Sequence, residues 1–182
     1  MQPELSRPDL SRPDLSWLGV LEHHARRTPT KPLAVHGDRT VTYAGMQEWS
    51  SAVAGGLAAR GVRAGDVVAL LSHNNLEFLA TIFAANHLGA VAMPINWRLA
   101  APELRFILEH SGARALVCGR ALVELADAAS TDLGQALARV CVSDDAVAVH
   151  CEGLVGRALR VVLEHAAPAD VGLEVAHHHG AA

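Results

Sequence analysis

The chain has 182 residues, with 15 Lys and Arg against 19 Asp and Glu, and its net charge is -4 when the 11 His are neutral. This length suffices for one hydrophobic core and is too short for two ordinary domains. Hydrophobic residues make up 51% and charged residues 19%, which excludes a disordered or fibrous chain. The mild acidity argues against a broad nucleic-acid surface, so we expect no nucleic-acid partner.

Compartment and membrane association follow from the cysteines and the apolar runs. Three cysteines without a CxxC pair argue against a disulfide framework and favour a reducing compartment, so we expect a cytoplasmic protein. The N-terminus lacks the apolar core of a signal peptide. Residues 78–97 carry no charged Asp, Glu, Lys or Arg and are long enough to cross a bilayer. Gly89 and Pro94 interrupt this run, which favours a helix, a turn and a strand over a membrane span.

The chain divides into three predicted regions. Two copies of Ser-Arg-Pro-Asp-Leu occupy residues 6–15, and their prolines block a helix there. We therefore predict a flexible, repeat-bearing leader over residues 1–15. An α/β subdomain is predicted over residues 16–165, and an irregular tail over residues 166–182.

The first predicted elements are a helix, a hairpin and a second helix. Residues 17–27 predict a helix because Ser16 is a typical N-cap and prolines follow the last turn. Gly37 and Asp38 supply the tight turn of a hairpin with strands at 33–36 and 39–43. A second helix is predicted at 44–60, where one apolar stripe contains Met46, Trp49, Val53 and Leu57. Gly55 and Gly56 lie inside it, and we expect them to allow close packing on a sheet.

The remaining elements alternate between strand and helix. A continuous apolar run at 67–71 predicts a strand that is buried on both faces, as in a parallel sheet. Further strands are predicted at 90–93, 114–118, 139–142 and 146–150, and helices at 76–88, at 102–110, before residue 139 and at 154–164. This alternation predicts an α/β fold with a doubly wound, mainly parallel sheet and flanking helices.

Motifs for common chemistries are missing from the sequence. It contains no GxGxxG after a strand, no GxxxxGK[ST] and no GxSxG. Its one lysine, Lys31, lies in a proline-flanked loop rather than in a glycine-rich phosphate loop. Cys141, His150 and Cys151 match no common zinc-ligand spacing, and His177–His179 lie in the C-terminal tail, so we expect no metal site. The residues by themselves therefore predict no catalytic and no cofactor-binding group.

Three segments in order resemble the N-terminal subdomain of the AMP-forming acyl-CoA synthetases, which are AMP-binding enzymes of the adenylate-forming superfamily. Val-Thr-Tyr-Ala-Gly-Met at 41–46 resembles the family's TYxxL/M segment. Residues 61–78 are similar to its G(V)xxGDxVA…xNxxEF segment, and residues 88–99 to its LGAVxxPINxRL segment. The resemblance extends over about residues 17–120, and its signature residues are Tyr43, Gly89, Pro94, Asn96 and Arg98.

The resemblance implies an acid–CoA ligase. Such an enzyme activates a carboxylic acid with ATP and Mg²⁺ to an acyl-adenylate, and CoA then displaces AMP. The PINWRL version of the third segment favours acid–CoA ligases over peptide-synthetase adenylation domains. The family's TSGTTGxPKG-type phosphate loop, its acyl pocket and its C-terminal catalytic lysine have no counterpart in this sequence. We therefore expect this chain to be inactive alone, and a frameshift or early stop near Glu174 would explain the departure.

The resemblance gives the five signature residues structural roles, and we expect none of them to be catalytic. Gly89 would permit a positive φ at a helix end, and Pro94 would close a strand without needing a donor. Arg98 is expected to pair with an acid on a neighbouring helix. The alternative to a ligase fragment is a non-catalytic remnant or interaction module with the same fold, which would expose apolar surface and self-associate.

Overall fold

A computed structural model describes residues 16–131, 133, 137–143 and 146–150, of which 141–143 and 146–150 are described as backbone only. The predicted leader, the predicted helix at 154–164 and the predicted tail lie outside these residues. The helices are α1 (Trp17–Arg27), α2 (Tyr43–Ala59), α3 (Leu76–His87), α4 (Ala101–Ser111) and α5 (Val123–Ser130), the last preceded by a 3-10 turn (Arg120–Leu122). The strands are β1 (Pro32–His36), β2 (Arg39–Thr42), β3 (Val67–Leu71), β4 (Val91–Pro94), β5 (Ala115–Gly119), β6 (Ala138–Ser143) and β7 (Ala146–His150).

Short polar side chains start three of these helices. In each case the side-chain oxygen accepts a hydrogen bond from the backbone N–H three residues later, which satisfies a donor that the first turn leaves unpaired. The pairs are Ser16 with Gly19 at 3.0 Å, Thr42 with Gly45 at 3.1 Å, and Asn75 with Phe78 at 2.8 Å. Because Thr42 is a cap, Tyr43 begins α2, and its assignment to the preceding strand was wrong.

The main sheet has five strands in the order β4-β3-β5-β6-β7. β3 pairs in parallel with both β4 and β5, and β5 pairs in parallel with β6. β7 runs antiparallel to β6, so the sheet is mainly parallel, as predicted. β1 and β2 form a separate antiparallel hairpin around Gly37, whose φ is +62°.

Helices cover both faces of the sheet, which confirms the doubly wound architecture. On one face, Val68 and Leu70 of β3 pack in a core with residues of α2 and α3. On the other face, Ala69 and Leu71 pack in a core with residues of α4 and α5. β3 therefore contributes alternate residues to two cores, and this explains its unbroken apolar sequence. A third core joins α1 and the hairpin to α2 and α3.

The glycines of α2 are not where the helix approaches the sheet. Gly55 is exposed, and a Cβ added there would meet nothing within 4 Å. A Cβ on Gly56 would meet only the Arg60 guanidinium, at 3.7 Å. The prediction that this pair allows close packing on the sheet was therefore wrong. Ala54 and Leu57 are the residues that α2 buries in that core.

No helix among the described residues is long and apolar enough to cross a membrane. The run over residues 78–97 is divided instead between α3, a turn at Gly89 and β4. Gly89 has a φ of +65° and follows the end of α3, where its N–H donates to the Asn86 carbonyl at 3.0 Å.

We predict that alanine has opposite effects at Gly89 and Gly55. Gly89→Ala should lower the free energy of unfolding by about 1–2 kcal/mol, because φ is left-handed there and the new Cβ would lie 3.3 Å from the Ala64 Cβ. Gly55→Ala should raise it by about 0.5–1 kcal/mol, because alanine favours the helix and the space is open. Urea denaturation of the two variants measures both values, and equal effects of the same sign would contradict this prediction.

Candidate functional site

The candidate site is the carboxyl edge of the parallel strands, where the strand order reverses. From β3 the chain passes through α3 to β4 on one side, then through α4 to β5 on the other side. α3 and α5, which follow neighbouring strands β3 and β5, therefore contribute to cores on opposite faces of the sheet. Open α/β sheets bind ligands at the carboxyl ends of strands at such a switch point.

Ser72 and Gly119 form the floor of this edge. Ser72 follows β3 and is 6% exposed, and its buried hydroxyl makes no hydrogen bond in the described structure. A Cβ on Gly119, at the end of β5, would lie only 3.1 Å from Ser72 Oγ. Glycine at this position therefore lets β5 approach the end of β3.

Three side chains from two strand ends contact one another at this edge of the sheet. The rings of His73, after β3, and Trp97, after β4, have centroids 4.5 Å apart. The Arg98 guanidinium carbon lies 4.1 Å from the centroid of the Trp97 ring, within cation–π range. His73 and Arg98 are exposed, while Trp97 packs against the core beneath α4 and α5. This cluster therefore has a cation and an imidazole on its solvent side.

Arg98 has a different partner from the expected one. Among the residues that the structure describes, it forms no salt bridge with an acid, and its guanidinium lies over Trp97 instead. The local turn explains this position. Asn96 Oδ1 accepts the Arg98 N–H at 3.1 Å, and the Asn96 carbonyl accepts the Leu99 N–H at 3.3 Å. This Asx-type turn directs the chain from β4 towards α4.

Pro94 ends β4 on the outer side of the sheet. The Val91 N–H donates to the Asp66 carbonyl and the Ile95 N–H to the Leu70 carbonyl, each at 2.8 Å. Residues 91 and 95 thus turn their donors towards β3, and by alternation the nitrogen of Pro94 faces the other way. The proline removes a donor from the exposed edge of β4 and none from the sheet.

The structure brings three of the five signature residues together. Pro94, Asn96 and Arg98 lie at the carboxyl edge. Gly89 lies at the opposite end of the strands, where its carbonyl accepts the Gly65 N–H at 2.9 Å. Tyr43 is farther along the fold: its ring lies 4.8 Å from that of His24 and lines an apolar pocket of about 390 Å³ between α1, the hairpin and α3.

One buried charge was not identified from the sequence. The Glu77 carboxylate, in the first turn of α3, is 1% exposed, and its Oε1 lies 2.7 Å from Arg39 Nη1 on β2. Arg39 also lies 5.9 Å from the centroid of the Trp49 ring on α2. The ion pair thus links the hairpin to α3. The available signal was an acid within the family-like segment at residues 61–78, directly before Phe78.

The described residues give no metal-binding cluster. Within these ranges, no group of three or more His, Cys, Asp and Glu side chains is arranged to hold an ion. Lys31 lies in the loop between α1 and β1, where its carbonyl accepts the Tyr43 N–H at 3.1 Å.

The fold defines an open, doubly wound α/β domain with a switch point, and a comparison with protein families specifies the class to which it belongs. The profile of the AMP-binding enzymes matches residues 21–170. The chain therefore belongs to the AMP-binding enzyme family. This family comprises AMP-forming ligases that use ATP and, in the acyl-CoA ligases among them, CoA.

Similar proteins include acyl-CoA and aryl-CoA ligases. Over 93 residues the chain is 43% identical to a feruloyl-CoA synthase of Amycolatopsis sp, which covers 51% of this chain and 19% of that protein. Over 91 residues it is 45% identical to the long-chain-fatty-acid–CoA ligase FadD13 of Mycobacterium tuberculosis, which covers 50% of this chain and 18% of that protein. The chain thus matches less than one fifth of the length of these curated relatives.

The fold is also similar to that of acyl-CoA ligases of known structure. The crystal structure of the N-terminal domain of FACL13 from Mycobacterium tuberculosis superposes with a TM-score of 0.63 and 37% sequence identity, covering 71% of this chain and 33% of that one. The α/β sheet with its flanking helices is therefore that of the N-terminal domains of acyl-CoA ligases.

Proposed function

We propose that this chain forms the first α/β portion of an acid–CoA ligase of the fatty-acyl type. In this reaction a carboxylic acid attacks ATP to form acyl-AMP and pyrophosphate, and CoA then releases AMP. The observation that carries the proposal is the folding of two family-like segments, 61–78 and 88–99, into neighbouring strands whose carboxyl ends form one edge. The first segment, 41–46, starts the helix that packs on α3.

In this proposal the chain supplies scaffold rather than catalytic groups. Pro94 and Asn96 shape the turn at the carboxyl edge, and Arg98 is held over Trp97 by that turn. The carboxylic acid, ATP with Mg²⁺, and CoA would be ligands of a ligase that contains this portion, acting in the cytoplasm. Its mild acidity supports the expectation that it has no nucleic-acid partner.

We further propose that the 182-residue chain does not catalyse adenylation by itself and binds no cofactor. Adenylation needs backbone N–H groups arranged around phosphates and a cation at the α-phosphate. The sequence offers one lysine, Lys31, and no glycine-rich Ser/Thr loop. Because loss of a single preorganised donor typically lowers a rate by about 10²–10³-fold, loss of the whole set should abolish the reaction.

The expected result is that the purified chain shows no acid-dependent exchange of pyrophosphate into ATP. Millimolar Mg-ATP should also leave its Tm unchanged, since a ligand that does not bind the folded state cannot stabilise it. The assay uses a set of fatty and aromatic acids, with a heat-treated sample as the control. Exchange above that control, together with a rise in Tm of several degrees, would contradict the scaffold role.

A chimera tests the ligase assignment positively. Residues 40–117 of this chain would replace the corresponding segment of FadD13, and acyl-CoA formation would be measured with palmitate. An active chimera supports the assignment, because the segment then serves as an equivalent scaffold. A folded chimera without activity would count against it, provided that the parent enzyme is active in the same assay.

A second candidate is an interaction module that retains the fold without taking part in catalysis. Exposed apolar side chains favour it: Trp17 is 65% exposed and Phe106 is 64% exposed. Such side chains support self-association. Size-exclusion chromatography of the same sample distinguishes the cases, since a concentration-independent monomer would count against this module.

A further inference from the structure

A hydroxyl and an imidazole meet at the interface between α2 and α3. Ser50 of α2 is fully buried, and its Oγ lies 3.1 Å from Nε2 of His87, the last residue of α3. The same Oγ lies 3.2 Å from the carbonyl oxygen of Gln47, one turn earlier in α2. The Ser50 hydroxyl therefore has two neighbouring groups that can accept the one hydrogen bond it donates.

This geometry allows two arrangements of the proton. When Nε2 carries no hydrogen, the Ser50 hydroxyl donates to it. When Nε2 carries a hydrogen, the ring donates to Ser50 Oγ, and the hydroxyl turns to donate to the Gln47 carbonyl. Each arrangement keeps the contact between the two helices hydrogen-bonded.

We propose that Ser50 and His87 form a proton-responsive joint between α2 and α3, in which the hydroxyl reverses its direction when the imidazole becomes charged. The Gln47 carbonyl makes this reversal possible, because it accepts the hydrogen bond that the Ser50 hydroxyl no longer donates to Nε2. Protonation then weakens the interface through the burial of charge without breaking the Ser50–His87 hydrogen bond.

Burial and the charged groups around the joint determine the direction in which the pKa of His87 is shifted. Burial is the main influence and lowers the pKa of His87, while the carboxylate of Glu22 on α1 raises it by a smaller amount. Arg26, one turn later in α1, lies 3.8 Å from Glu22 and partly neutralises the charge of that carboxylate. From α2, Ser50 and Gln47 face the ring with neutral groups, and the carbonyl end of α3 favours a cation.

The sign of the pH effect follows from the lowered pKa. An unfolded histidine takes up its proton near pH 6.5, whereas His87 in the folded chain does so at a lower pH. The stability that the neutral His87 ring contributes to the folded chain is therefore fully present above about pH 6.5. It is lost as the pH falls through the pKa of His87 in the folded chain.

Thermal melting and NMR of the full chain test this joint. When the pH is lowered from 7.5 to 5.5, the Tm of both proteins should fall. The fall should be smaller for His87→Gln than for the unmodified chain, by at least about 2 °C. His36→Gln, at an exposed position of the hairpin, is the matched control and should melt like the unmodified chain at both pH values. An equal loss of Tm in His87→Gln and the unmodified chain would overturn the proposal.

The hydroxyl is tested separately by labelling the histidine ring nitrogens with ¹⁵N. In the unmodified chain the Ser50–His87 bond should persist in the charged form, seen as slow exchange of the Nε2 hydrogen of His87 with solvent. Ser50→Ala should shift the ring-nitrogen signals of His87 and leave those of His36 in place. Unchanged His87 signals in Ser50→Ala would overturn the proposal even if His87→Gln did not fold.

Discussion

Arg39→Ala should lower the free energy of unfolding by about 2–4 kcal/mol. The substitution removes the cation that lies 2.7 Å from the Glu77 carboxylate, and Glu77 is too deeply buried for water to replace it. A buried carboxylate that has lost its partner destabilises the folded state. Urea denaturation at pH 7.5 measures the loss, and we expect the hairpin to become more accessible to proteases before the sheet unfolds.

A matched control distinguishes burial from charge. Arg26 and Glu22 form an exposed pair on α1, with 3.8 Å between Nη1 and Oε2. Arg26→Ala should therefore cost less than about 0.5 kcal/mol. The double variant Arg39→Leu/Glu77→Leu should recover much of the lost stability, because it removes both buried charges. Equal costs for Arg39→Ala and Arg26→Ala would show that the buried pair does not hold the hairpin to α3.

Leu70→Ala should lower the free energy of unfolding by about 3 kcal/mol. Leu70 is 1% exposed on the central strand β3, in the core formed with α2 and α3. Helices cover that face of the sheet, so the removed atoms leave a cavity that the backbone cannot readily fill. Chemical denaturation and hydrogen exchange of the β3 amides measure the effect.

Val91→Ala is the corresponding control on the edge strand. Val91 is 53% exposed at the start of β4, and its replacement should cost less than about 1 kcal/mol. If Leu70→Ala cost no more than Val91→Ala, β3 would not be the buried centre of the domain.

The sequence was sufficient where local chemistry and periodicity decide the structure. The helix bounds at Trp17 and Arg27 were correct, because Ser16 caps the first turn and prolines follow the last. The strand at Val67–Leu71 was correct, since five consecutive apolar residues fit a strand that is covered on both faces. The family resemblance was found from three sequence segments, because their order and spacing match those of the family.

Only the tertiary structure decided which distant residues meet. Trp97 and Arg98 occur in one strand-end segment, but the contact of Trp97 with His73 depends on β3 and β4 being neighbours. Likewise, glutamate is usually found at the protein surface, but Glu77 is buried where the hairpin brings Arg39 over α3. Gly55 was misassigned for the same reason, because the face of α2 that meets the sheet is set by packing. Local propensity and periodicity are fixed by neighbours in sequence, whereas burial and charge pairing depend on contacts between segments far apart in the chain.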